Sequence, residues 1–269
     1  MENNNACIIA ICNLKGGVGK STTTINLGAA IANEGYKVLL IDMDSQGHVA
    51  IGLKSKIKLT NYTLGEFITG KAPFSAVVCK YNDNLSVLPS NRRLNNLADI
   101  LKDQSPSKRH LYLQYRLKNS VTEYFDFVLI DCPPELGLLV TNALAAADWV
   151  LIPADPSTFA LKGTIEVQKL SKTLIKGLNS KHKIAGIIPI RFNTQTAVGK
   201  KTADEYKSIF GDLVLKSNIR QCVQLEEANR LGVSVYDHRP SCAAGIDYDD
   251  LCKEVLERIR GNTDEKNLS

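Results

Sequence analysis

No C-x-x-C pair occurs among the seven cysteines of this 269-residue chain, Cys7, Cys12, Cys79, Cys132, Cys222, Cys242 and Cys252, and their number is odd. Scattered through segments that read as strands and helices, they give no disulfide framework and indicate a reducing, cytoplasmic compartment. No export signal is expected, because Met1-Glu2-Asn3-Asn4-Asn5 has no basic residue and the apolar run behind it, Cys7 to Cys12, has only strand length. No membrane span is expected either. The longest apolar stretch, Leu136 to Ala154, is interrupted by Asn142 and Asp148 and closes with Pro153, so it reads as a helix followed by a strand. Internal repeats, low-complexity blocks and Pro/Gly/Ser linkers are missing, which predicts a single domain over 1–269 with 261–269 as a flexible polar tail. The charge excess is small: 33 Lys and Arg against 28 Asp and Glu leave +5, which permits an anionic partner without requiring one.

What remains is the balance of a globular protein with a sizeable core, 44% apolar and 23% charged. Apolar runs of strand length recur at Ile8–Asn13, Lys37–Asp42, Leu85–Pro89, Phe127–Asp131, Trp149–Pro153 and Ile184–Pro189. Their Val, Ile and Leu do not alternate with polar residues, so both faces of each strand are covered. Helical segments between them, at Lys20–Asn33, Arg92–Lys102, Leu138–Ala147, Thr164–Lys176 and Thr202–Phe210 with a last one at Ala243–Arg260, complete an α/β pattern. The expectation is a mostly parallel, twisted sheet with helices on both faces.

The segment richest in chemistry runs from the first strand through Leu14-Lys15-Gly16-Gly17-Val18-Gly19-Lys20-Ser21-Thr22 into the first helix. Strand, glycine-rich turn and helix N-terminus in that order form a phosphate cradle. Backbone N–H groups converge on phosphate oxygens, Lys20 reaches the terminal phosphates, and the Ser21 hydroxyl is placed to ligate Mg²⁺. Against the G-x-x-x-x-G-K-[ST] pattern, Leu14 stands at the first glycine position and an additional lysine, Lys15, precedes Gly16-Gly17.

This loop resembles the deviant Walker A motif, K-G-G-x-G-K-[ST], of the ParA/MinD ATPases. The resemblance continues through Asp42-Met43-Asp44-Ser45-Gln46-Gly47, with Ser45 where proline is usual, through Asp131-Cys132-Pro133-Pro134 as a Walker B strand and turn, and through Asn142 to Pro153 and Phe159 to Gly163. Ile219 to Ala228 is similar to the family's I-P-x-N-V-x-L-x-E-A stretch, with Arg220 and Cys222 at its proline and asparagine positions. Similarity to the ParA (Soj-like) branch thus spans about Ile8 to Ile259.

The resemblance implies a P-loop nucleoside triphosphatase that hydrolyses ATP with Mg²⁺, weakly and under stimulation by a ParB-like centromere-binding activator. It also implies an ATP-dependent homodimer that binds nonspecific duplex DNA on the nucleoid, within the cytoplasm, and partitions a plasmid, chromosome region or mobile element. Asp131, ending a buried strand at its carboxyl edge, suits a Mg²⁺-bound water or the ion itself. Asp42 and Asp44 share one strand face, so spacing does not decide between them; the resemblance favours Asp44 for positioning the attacking water, leaving Asp42 a structural role. It likewise assigns Lys15 to the partner's nucleotide, a cation supplied in trans as an arginine finger is.

The adenine side is less defined. Asn193 fits either a base contact or a turn, and Arg220 and Cys222 leave backbone groups and Arg220 stacking. His48, His110, His182 and His238 show no metal-ligand spacing, since Pro240 interrupts the His238–Cys242 step. Basic candidates for DNA are Arg191, Lys200, Lys201, Lys216, Arg220, Arg230 and Arg239, with Lys54, Lys56, Lys58, Lys108 and Arg109 elsewhere. Two alternatives fit less well. A MinD-like membrane switch calls for a C-terminal basic amphipathic helix, which the polar residues 262–269 do not provide. An iron–sulfur ATPase calls for cysteine pairs in an arrangement that Cys132 and Cys222 do not resemble.

Overall fold

A computed structural model describes residues 6–102, 105–118, 121–178, 181–192 and 197–264. Seven strands, β1 (Cys7–Ile11), β2 (Val38–Asp42), β3 (Cys79–Lys80), β4 (Leu85–Leu88), β5 (Phe127–Asp131), β6 (Trp149–Ala154) and β7 (Lys183–Pro189), form one sheet in the order β3-β4-β2-β5-β1-β6-β7. All neighbours are parallel except β3, which pairs antiparallel with β4 at the edge.

The uninterrupted apolar strands bury both faces as expected. From β1 and β5, Ile8, Ala10, Val128 and Ile130 enter one core with the helices Leu138–Ala146 and Thr158–Leu178. Ile9, Ile11, Phe127 and Leu129 enter the other, against α1 (Lys20–Asn33) and the long C-terminal helix Ala243–Asp264. In register, Ile11 and Asp42 both sit opposite Asp131, so the carboxyl ends of β1, β2 and β5 finish level with one another. That alignment places three loops side by side over the sheet, where open α/β sheets bind ligands.

The helix α1 is almost wholly buried from Thr23 to Ala32. Gly28 lets it press onto β2, because a Cβ there would lie 2.5 Å from Leu40 Cδ2. Three helices are longer than their sequence patterns indicate: Thr158–Leu178 begins before Thr164, Ala197–Phe210 before Thr202, and the C-terminal helix passes Arg260 to end at Asp264. Gly261 to Asp264, expected to belong to a flexible tail, therefore continue the helix. The expected helix Arg92–Lys102 is a 3₁₀ turn over Arg92–Asn96 followed by the short helix Leu97–Ile100.

These packing differences separate two glycines. Gly28→Ala overpacks the face between α1 and β2 and is expected to cost about 1–3 kcal/mol. Gly177→Ala, in the exposed last turn of Thr158–Leu178 with no atom within 4 Å of the added carbon, is expected to add about 0.5–1 kcal/mol. Urea unfolding of the two variants beside the parent checks both signs.

Candidate functional site

The loop after β1 is held from below by Asn13. Its Nδ2 donates to Pro153 O at 2.8 Å, and its Oδ1 accepts from Lys15 N at 3.0 Å, so one buried side chain joins the start of the loop to the end of β6. Gly163 is small for that reason: a Cβ there would meet Asn13 Oδ1 at 2.3 Å. Gly17 (φ 76°) and Gly19 (φ 86°) take left-handed conformations that other residues reach only with strain, and they turn the chain into α1. Among the described residues no side chain caps that helix, so its leading N–H groups are left for an anion. Lys20 Nζ donates to Lys15 O at 2.9 Å, which folds the buried lysine back over the loop. Ser21 Oγ donates to Asp131 Oδ2 at 2.6 Å, and Thr24 Oγ1 lies 3.4 Å from Asp131 Oδ1.

The three carboxylates behind the loop have different surroundings. Asp131 is fully buried, and burial raises its pKa to about 7, against the Ser21 hydrogen bond and the Lys20 charge, which lower it. Asp42 is also fully buried and is pushed upward, first by burial and then by Asp131. Its two oxygens accept from Asp44 N at 3.0 Å and Val49 N at 2.9 Å, which ties the end of β2 to the short helix α2 (His48–Gly52). Asp44 instead lines the cavity and accepts from Gln46 N at 3.0 Å. The geometry thus separates a carboxylate that builds the turn from one that faces the cavity, which spacing left open.

Lys15 points away from Lys20. Its Nζ donates to Asp155 Oδ2 and to Ser157 Oγ, both at 2.8 Å, in the turn after β6. Burial opposes ionisation of Asp155, yet the bonds from Lys15 and Ser157 hold its pKa below the usual carboxylate value. Arg191 is the one described non-glycine residue with a left-handed backbone, φ 59°. Its guanidinium donates to Gly17 O at 3.1 Å and lies 3.4 Å from Asp155 Oδ2. This residue, a DNA candidate on sequence grounds, therefore belongs to the rim of the loop.

A cavity of about 930 Å³ opens above these groups. Gly16, Gly17, Gly19, Lys20, Ser21 and Thr22 line one side, Asp44 to Gln46 and Pro133 to Leu139 another, and Ile190-Arg191 with Ile219 to Cys222 a third. Lys15, Val18 and Asp131 do not line it; Val18 turns its side chain into the core. Arg220 is on the cavity wall, but its guanidinium is engaged with Asp247, with contacts of 2.6–3.1 Å. Asn193 lies outside the described residues. Of the other basic candidates, Lys200, Lys201, Lys216, Arg230 and Arg239 are exposed, whereas Lys56 is paired with Asp237. Asp155 and Gly163 escaped the motif reading as functional positions, although Asp155 follows a strand end just as Asp131 closes one.

Loop, helix N-terminus and strand-end carboxylates over a parallel sheet define a P-loop protein of the nucleoside triphosphatase class. A family model described as an AAA domain matches residues 6–184. The chromosome-partitioning ATPase Soj of Treponema pallidum is 36% identical over 251 residues, covering 93% of this chain and 97% of its own. Two solved structures are similar along nearly the whole length, each at 26% identity. The ATP complex of a Cyanothece McdA variant has a TM-score of 0.83 and covers 94% of this chain and 97% of its own. Cobyrinic acid a,c-diamide synthase of Mycobacterium smegmatis with an ATP analog and magnesium has a TM-score of 0.82 and covers 96% of each chain. The chain belongs to the Soj/ParA family of ATPases.

The split between the two aspartates is testable as stability. Asp42→Ala strands two buried N–H donors and is expected to cost about 1–3 kcal/mol, whereas Asp44→Ala loses one partly exposed bond and is expected to change stability by less than about 1 kcal/mol. Guanidinium unfolding at neutral pH measures both.

Proposed function

We propose that this chain binds Mg-ATP, dimerises on it, holds nonspecific duplex DNA as the dimer, and so positions a plasmid, chromosome region or mobile element. The observation that carries this reading is the divergence of two lysines on one loop: Lys20 is folded over the phosphate cradle, while Lys15 is held outside it by Asp155 and Ser157. One chain can direct only the first at its own phosphates. The second is then available to a nucleotide held by another copy, which makes hydrolysis depend on association.

Within one chain the N–H groups of Gly16 to Thr22 and the Lys20 ammonium hold the β- and γ-phosphates, and the hydroxyl of Ser21 with Asp131 behind it fits a magnesium site, directly or through water. The donor set supports that fit, because a hydroxyl backed by a buried carboxylate 2.6 Å away offers hard oxygen ligands. Bound there, Mg²⁺ neutralises charge on the phosphate oxygens. Asp44 orients the attacking water from the opposite wall. Ile190-Arg191 and Ile219 to Cys222 flank the base, with Asn193 following in the chain. ATP in the McdA complex, and an ATP analog with magnesium in the synthase, support the ligand assignment.

The relatives' role in chromosome partitioning supports a ParB-like activator, slow hydrolysis without it, and action on the nucleoid in the cytoplasm. Among the described residues no helix is long and apolar enough to cross a membrane. A two-fold dimer doubles the exposed basic residues Lys200, Lys201, Lys216, Arg230 and Arg239 on one assembly.

Mobility shift with random-sequence duplex gives the functional test: ATP is expected to strengthen binding over ADP, with log affinity falling against log salt by roughly 0.9 per phosphate contact. Equal affinity with ATP, ADP and no nucleotide contradicts the proposal, and ATP-dependent liposome binding would favour a membrane switch instead. Asp44→Ala is expected to keep ATP binding and dimerisation while losing turnover, and Lys15→Ala to bind ATP yet sediment as monomer or weak dimer and hydrolyse poorly. A normal ATP dimer with normal turnover for Lys15→Ala refutes the trans assignment.

A further inference from the structure

Two cysteines twenty residues apart in sequence meet at the edge of the cavity. Cys222 precedes the helix Val223–Leu231 and lines the cavity, and Cys242 precedes the C-terminal helix; their sulfurs are 3.7 Å apart. Each keeps a small accessible area, 8% and 9%. The second cysteine pair, Cys12 with Cys132, is fully buried in the core and has no such access. The segment that carries Cys222 is already fixed to the C-terminal helix: Arg220 N donates to Asp247 Oδ2 at 2.8 Å, and the Arg220 guanidinium engages both oxygens of the same carboxylate. The two sulfurs are thus held together by contacts that do not depend on a bond between them, which raises the effective concentration of one thiol at the other.

We propose that Cys222 and Cys242 are a peroxide-sensitive thiol pair whose disulfide locks one wall of the nucleotide cavity. The pair is unequal. Burial disfavours the Cys222 thiolate, but the N–H groups of Ala244, Leu225 and Gln224 and the neighbouring Cys242 outweigh it and hold that thiol below its ordinary pKa. Cys242 is raised by burial and by Cys222. Cys222 is therefore the attacking sulfur and Cys242 the resolving one.

The Cys222 thiolate attacks one oxygen of hydrogen peroxide, the O–O bond breaks, and hydroxide leaves to take up a proton as water. Cys242 sulfur then attacks the Cys222 sulfenic acid, the S–O bond breaks, and the departing hydroxide takes the Cys242 proton as a second water. Two thiols are oxidised by two electrons in all and one peroxide is reduced by two. Forming the bond brings the sulfurs to about 2.05 Å, which draws the segment Ile219 to Cys222 toward the C-terminal helix and out of its position on the cavity wall. In a reducing compartment such a bond is transient and reversible, as a sensor requires.

The consequence for turnover rests on the ATPase reading above; the chemistry of the pair does not. The full chain is treated with peroxide, its remaining thiols are blocked with N-ethylmaleimide, and its peptides are mapped by mass spectrometry. The expected first product is a cross-linked Cys222–Cys242 peptide, removed by dithiothreitol, and in Cys242→Ser a dimedone adduct on Cys222. The cross-linked protein is expected to turn over ATP about tenfold more slowly, as a displaced wall residue implies, and to recover on reduction, while reduced Cys242→Ser keeps the parent rate. Earlier oxidation at any of the other five cysteines, failure to cross-link, or a cross-link with unchanged turnover overturns the proposal. Absence of turnover in the reduced parent counts against the ATPase reading and leaves the cross-link map to judge the pair.

Discussion

Everything at the site depends on a carboxylate that is expensive to bury. Asp131 closes the central strand β5 with no exposed surface, and burial opposes its charge. Its partners are the hydroxyl of Ser21, in the first turn of α1, and the more distant hydroxyl of Thr24. That demand for partners sets the position of α1 over the sheet, and α1 in turn sets the direction of the glycine loop that precedes it. Parallel register does the rest, because β1 and β2 end level with β5 and so bring the loops that carry Asn13 and Asp44 side by side at the same edge of the sheet as Asp131.

A second constraint follows from the shortness of the loop. Lys15 and Lys20 are five residues apart, and the Lys20 ammonium already occupies the carbonyl of Lys15. Electrostatics sends the other ammonium to Asp155, whose oxygen it shares with the guanidinium of Arg191. The side chains of Lys15 and Arg191 keep 27% and 46% of their surface exposed over a carboxylate at 11%, so Lys15 is held at the rim with part of its surface open to solvent. This is what a lysine needs if it is to serve another copy of the chain.

The sequence was most legible where a single physical rule acted without competition. The helix α1 begins and ends where its pattern indicates, at Lys20 and Asn33, because a left-handed Gly19 opens it and Gly35 follows its end. The central strands were equally plain, since buried parallel strands have no polar alternation to blur them. The edge strand β3, two residues long, carries too few side chains to show any period. The early starts of the helices at Thr158 and Ala197 were hidden because Gly163 and Gly199 interrupt the helical pattern near each start, although Ser157 caps the first, its Oγ accepting from Ala160 N at 3.1 Å. At the site, motif spacing identified the cradle but did not separate Asp42 from Asp44, which depends on whether two N–H groups, those of Asp44 and Val49, find one carboxylate. Arg191 looked like any surface cation, since nothing in its neighbours announces a left-handed backbone. Cys222 and Cys242 were separate small residues until the fold brought the starts of two helices together.

The central claim is that the loop after β1 is a magnesium-dependent ATP site in which Lys20 supplies the decisive charge. Isothermal calorimetry with ATP, with Mg²⁺ or with excess EDTA, tests it on the parent and on Lys20→Ala. One nucleotide bound per chain, weakened by EDTA and lost in a folded Lys20→Ala variant, is the predicted result. Unchanged ATP affinity in Lys20→Ala would contradict the account at its root.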